Sequence, residues 1–125
     1  MKLLAENEKI KIVGEYEETF FINKKSKSKI LIGDFYGDPQ VAIIDKKEKF
    51  CAIGGCRLII YYLSNPYESY SYEKQTLQWK EMFRDGKEVW VEDIKQVDDS
   101  TIEIEFNEMK NSLLINVITG KILQE

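Results

Sequence analysis

The side chains able to do chemistry in this 125-residue chain are carboxylates, tyrosines and two cysteines, because there is no histidine. That absence removes Ser-His-Asp and Cys-His nucleophile systems and the side chain best suited to proton transfer near neutral pH. It also removes His-containing zinc sites, and two cysteines cannot build an all-Cys one. Asp34 and Asp38 flank a Gly-containing turn and could serve as an acid and base pair in glycoside hydrolysis. They could equally be turn residues that bond nearby backbone N–H groups. Asp93, Asp98 and Asp99 lack the D-x-[DN]-x-[DN]-G spacing and glycine of a calcium loop, so no metal site is expected. Gly54-Gly55 precedes a strand and lacks the Lys-Ser/Thr of a phosphate loop, so no cofactor is expected either.

Cys51 and Cys56 read as two reduced thiols in or near the core, or as a redox pair brought together by a hairpin through Gly54-Gly55. Their spacing is not C-x-x-C and no βαβ pattern surrounds them.

Five of the seven tyrosines, Tyr61, Tyr62, Tyr67, Tyr70 and Tyr72, fall within twelve residues, interleaved with Ser64, Asn65, Ser69 and Ser71. Tyr with Ser and Asn is the composition of adaptable binding loops, since Tyr offers large contact area at low entropy cost. The competing reading makes Tyr61 and Tyr62 strand core and lets the others cover a sheet edge. Trp79 and Trp90 follow downstream.

Charge is uneven. Residues 1–62 hold 11 Lys/Arg and 9 Asp/Glu; residues 63–125 hold 7 and 13. Ten acids against three bases lie within residues 81–109. Nucleic-acid binding needs the opposite excess, so no nucleic-acid partner is expected, and an acidic field favours a basic one.

The elements that must position these groups are mostly strands. The length and the 43% hydrophobic and 32% charged composition fit one folded domain, residues 1–125. No apolar run approaches the roughly 20 residues of a membrane span. The opening MKLLAENEKIKIV lacks the apolar stretch and cleavage site of a signal peptide, so a cytoplasmic location is expected and no membrane partner. Strands are expected at Lys9 to Ile12, Thr19 to Ile22, Ser28 to Tyr36, Val41 to Ile44 and Phe50 to Ile53. Arg57 to Leu63 (RLIIYYL) is an unbroken apolar run that suggests burial on both faces. Val89 to Val97, Thr101 to Phe106 and Ser112 to Ile118 make an antiparallel meander, with Lys121 to Leu123 a final extended piece. Ile102, Ile104 and Phe106 alternate with Glu103 and Glu105, which puts the two glutamates on the solvent face.

Residues 66–84 carry a helix signature. Asn65 stands as N-cap, Pro66 follows, and Glu68 comes third. Tyr72, Thr76, Trp79 and Phe83 fall on a helical stripe, with Gly86 at the C-cap. Leu77, Trp79 and Phe83 also fit a strand. The expected fold is mainly β, with α+β possible: a mostly antiparallel meander sheet or partly open barrel with one short helix. No internal repeat is evident. LLINVITGKI has the look of one propeller-blade strand pair, but one blade closes no ring and the length excludes a propeller.

The stretch GDFYGDPQVAIIDKKEKFCAIGGCRLIIYY from Gly33 to Tyr62, followed by NPYESY and QWKEMF, resembles small β-rich immunity proteins of bacterial contact-dependent and polymorphic toxin systems. The likeness lies in a G-D-x-x-G-D-P turn, a strand pair joined by a D-K-x-x-K turn, a Gly-Gly break, an aromatic-ended strand and a Pro-Tyr-Glu loop. It implies a non-enzymatic cytosolic protein that binds and blocks a cognate toxin, commonly a nuclease and so basic. Charge and composition, not the family, nominate the partner-binding residues. Glu92, Asp93, Asp98, Asp99, Glu103 and Glu105 would supply charge; Tyr67, Tyr70, Tyr72 and Trp79 would supply buried anchors. The alternatives are a small-ligand or carbohydrate-binding β domain and a hydrolase using Asp34 and Asp38.

Overall fold

The computed structural model describes residues 1–35, 37–74, 76–83, 89–107 and 111–124. Among them are the strands β1 (Lys2–Glu6), β2 (Ile10–Glu15), β3 (Glu18–Asn23), β4 (Lys29–Asp34), β5 (Val41–Ile44) and β6 (Phe50–Gly54). The chain continues through β7 (Leu58–Tyr62), β8 (Trp79–Met82), β9 (Val91–Asp98), β10 (Thr101–Phe106), β11 (Asn111–Asn116) and β12 (Ile122–Gln124). They form three antiparallel sheets, each a meander of four consecutive strands: β1 to β4, β5 to β8 and β9 to β12. The leading strands are neighbours, β1 beside β5 and β5 beside β9, so the sheets stack in chain order.

The middle sheet is therefore covered on both faces, and its sequence shows why. Cys51 pairs with Tyr61 and Ile53 with Ile59, and this face builds a core with Ile12, Phe21 and Ile32 of the first sheet. Phe50, Ala52, Leu58 and Ile60 point the other way, into a core with Val91, Ile94, Ile102, Ile104 and Ile115 of the third. An unbroken apolar run is what a doubly covered strand requires. Gly54 is needed where the middle and third sheets meet, because a Cβ there would come within 2.5 Å of Val91 Cγ1.

Mainly β and largely antiparallel meander is what the chain forms. Two parts of the expectation are corrected. None of the sheets closes into a barrel. Among the described residues there is no helix, and so none long and apolar enough to cross a membrane. Gln75 and Arg84 lie outside the described residues; the described part of the segment expected as a helix over 66–84 forms a loop and then β8. Its backbone groups find partners elsewhere: Tyr70 N–H donates to the Leu31 carbonyl at 2.8 Å, and Tyr62 N–H to the Gln78 carbonyl at 2.8 Å. The Gln78 amide then ties the loop's two ends together, donating to the Tyr62 carbonyl at 2.5 Å and the Ser64 carbonyl at 3.1 Å. The Asn65–Pro66 peptide is cis. Gly86, the expected C-cap, lies outside the described residues.

Three sheets repeat one strand plan with no repeat in sequence. The plan is that of a propeller blade, and three such units are fewer than the roughly four to eight of a propeller.

Candidate functional site

The loop over residues 63–78 folds inward. Tyr61 stacks on Trp79, centroids 6.4 Å apart and planes within 9°, and Tyr70 leans on the same indole at 5.2 Å. Trp79 is 1% exposed and Tyr70 4%. Tyr67 meets Phe21 edge-on at 5.6 Å. The Tyr61 hydroxyl donates to the Glu68 carbonyl at 2.6 Å, fixing the loop to β7. Tyr70 O–H donates to Glu81 Oε1 at 2.5 Å, and Arg57 Nη1 donates to Glu81 Oε2 at 3.2 Å. Both Arg57 and Glu81 side chains are almost wholly buried. The Arg57 guanidinium lies between the rings of Phe35 and Tyr72, 5.8 Å and 5.2 Å from their centroids.

Of Tyr67, Tyr70, Tyr72 and Trp79, expected as anchors for a partner, Tyr70 and Trp79 are already spent in this protein's own core. Tyr67 is half-buried against the same core. Tyr72 stays outside, 45% exposed. No sequence signal pointed to the buried Arg57–Glu81–Tyr70 network, because nothing local marks which charges will be covered.

The acidic residues take the opposite course. Facing residues on antiparallel strands share a side of the sheet. One row across the third sheet is Lys95, Glu103 and Leu114; the next is Asp93, Glu105 and Ser112. Ile94, Ile104 and Leu113 turn the other way, into the core. Three carboxylates thus surround Lys95 on the sheet's outer face. Lys95 Nζ contacts Glu105 Oε1 at 2.9 Å and Asp93 Oδ2 at 3.9 Å. The bond to Glu105, then its charge, raises the Lys95 pKa. Glu103 and Glu105 lie where the alternation put them. Glu92 sits half-buried at the irregularity that separates the Val91 and Asp93 pairings.

Asp98 and Asp99 belong to the β9–β10 turn. Asp98 Oδ1 accepts from Ser100 N–H at 3.0 Å, and such bonds hold its carboxyl below the usual value. Asp99 pairs with Lys47 at 2.8 Å across to the second sheet, which raises the lysine's pKa. Among the described residues no three carboxylate or cysteine side chains converge as a metal site would need.

Asp34 and Asp38 line different depressions. Asp34 lies with Glu17, Phe35, Arg57 and Tyr72 around about 260 Å³, and Asp38 beside Gly14, Tyr16 and Pro39. Cys51 and Cys56 are both free, and burial pushes the Cys51 thiol up, away from reactivity.

Neither the protein-family models nor the curated proteins include a match to this chain.

Proposed function

We propose that this protein is a non-catalytic binding protein of the toxin-neutralising kind, which acts in the cytoplasm by covering the active surface of a basic, nuclease-type toxin domain. The observation that carries this reading is the outer face of the third sheet, where Asp93, Glu103 and Glu105 ring a single lysine. The face carries half-buried carboxylates around an exposed lysine while the opposite one is fixed in a core, so its charges are presented by a rigid element. A fixed acidic face steers a basic partner at encounter and rejects like-charged ones. A nuclease surface that meets phosphates has the matching sign. The resemblance across residues 33–83 supports the same reading.

The test is capture of the domain encoded immediately upstream, with purified tagged protein at low and high salt. The reading expects a one-to-one complex that weakens as salt rises. Glu103→Lys with Glu105→Lys should weaken it by about tenfold or more, mainly through slower association. A complex indifferent to both salt and the double reversal would move the binding face elsewhere. Failure to hold any basic protein at low salt would remove the reading.

A further inference from the structure

A cleft of about 670 Å³ opens between the second and third sheets, well within the roughly 300–1,000 Å³ of ligand pockets. None of the residues of the two acidic rows lines it. Its floor is apolar: Phe50 and Tyr62, facing partners on β6 and β7, and Val117 beyond β11. The Tyr62 hydroxyl donates to the Val117 carbonyl, so the ring rather than a free hydroxyl meets the cleft. Burial pushes that hydroxyl up to about 12, so it stays neutral. Two aliphatic side chains stand at the mouth in water, Leu77 at 96% and Ile118 at 69% exposure.

The rim carries four charges, and they are not equivalent. Glu48 accepts from Asn7 Nδ2 at 2.9 Å and lies 3.9 Å from Lys9 Nζ. Asp99 is paired with Lys47. Both carboxylates are therefore engaged. Lys49 and Lys80 take part in none of the ion pairs among the described residues. The stem of Lys80 runs past Gly120, where a Cβ would lie 3.0 Å from Lys80 Cδ. The cleft thus offers an apolar slot, two aliphatic lips and two cations with no counterion among the described residues.

We propose that this cleft binds a small apolar carboxylic acid in its ionised form, a medium-chain fatty acid or flat aromatic acid, with the hydrocarbon against Phe50 and Tyr62 and the carboxylate toward Lys49 and Lys80. Covering Leu77 and Ile118 supplies the hydrophobic drive. The lysines set the sign of the head group, and the exposure of Lys49 with the half-burial of Lys80 keeps that preference modest.

Calorimetric titration of the full chain with decanoate and with its neutral isostere decanamide tests this. Decanoate should bind one to one, and decanamide about tenfold more weakly. In Lys49→Met with Lys80→Met, the apolar slot remains and the two ligands should bind alike. Ile118→Glu adds a carboxylate at an exposed lip without touching the core, and should abolish decanoate binding while the circular dichroism spectrum is unchanged. Failure of folded wild-type protein to bind decanoate overturns the proposal, as does a preference for the acid that survives the lysine replacements. All these variants keep Asp93, Glu103 and Glu105, so capture of a basic protein reads the function proposed above independently.

Discussion

The loop over residues 63–78 and the outer face of β9 to β12 carry the two residue classes that protein-binding surfaces favour, aromatics and clustered charge. The fold treats them oppositely. In the loop, Tyr67, Tyr70 and the adjoining Trp79 turn into the first core. On the third sheet Asp93, Glu103 and Glu105 stay outside, because each alternates with a side chain the second core needs. The difference lies in what fixes direction. A period-2 strand commits its charged side to solvent once the other side is apolar. A loop has no such rule, and its tyrosines go wherever an uncovered edge offers apolar area. Here that edge is β4, to which Tyr70 N–H donates.

The largest effects should appear on the loop side. Trp79→Ala removes an indole held between two tyrosine rings and should cost about 3–5 kcal/mol in urea unfolding. Trp79→Phe should cost clearly less, since the buried Trp79 Nε1 has no hydrogen-bond partner to lose. A Trp79→Ala loss below about 1 kcal/mol would mean the loop is not seated on the core, and would return Tyr67 and Tyr70 to the surface.

Glu81→Ala comes next. It strands Arg57 in the interior and deprives Tyr70 of its acceptor, at about 3–5 kcal/mol. Arg57→Met added to Glu81→Ala should recover part of that loss, because the uncompensated charge goes with it. A double variant no better than Glu81→Ala alone would show that the cost lies in the Tyr70 bond.

The acidic face should behave differently. Glu103→Lys with Glu105→Lys should change unfolding free energy by no more than about 1 kcal/mol, the worth of surface pairs such as that of exposed Lys95 with half-buried Glu105. A larger loss would tie these carboxylates to folding rather than to a partner.

The same distinction decides what could be read from the sequence. The alternation over 101–106 and the apolar run Arg57 to Leu63 each named the correct face or faces, because one-dimensional pattern and burial are physically the same fact there. The helix expected over 66–84 failed although Asn65, Pro66 and Glu68 supply good start chemistry. The stripe Tyr72, Thr76, Trp79 and Phe83 is apolar for another reason: Trp79 belongs to a strand paired with β7, opposite Tyr61. Tertiary hydrogen bonds from Gln78 and to Leu31 replaced the helical ones. β1 was missed because Lys2 to Glu6 shows no alternation; its register against β2 shifts between Leu3 and Ala5. The stacking of three like sheets was invisible, since each is closed by different side chains. Of the site, the glutamates were legible and Lys95 among them was not, because it arrives from another strand.

The smallest expected effect concerns the turn that ends the acidic strand pair. Asp98 is fully exposed, yet its carboxylate accepts from the backbone and side chains of the turn, so its folded pKa lies below the ordinary 3.8. A group depressed on folding stabilises the folded state above its unfolded pKa, and that contribution is lost as pH falls through the folded value. Asp98→Asn keeps an acceptor but removes the charge. Its deficit relative to wild type, followed by thermal unfolding, should be present near neutral pH and should shrink as pH drops below about 3.8. A deficit that stays constant across that range would show that the turn bonds of Asp98 contribute nothing to folding. A deficit that shrinks means the division holds even within one sheet. Acids at its turn then serve folding, and acids on its flat face are left for a partner.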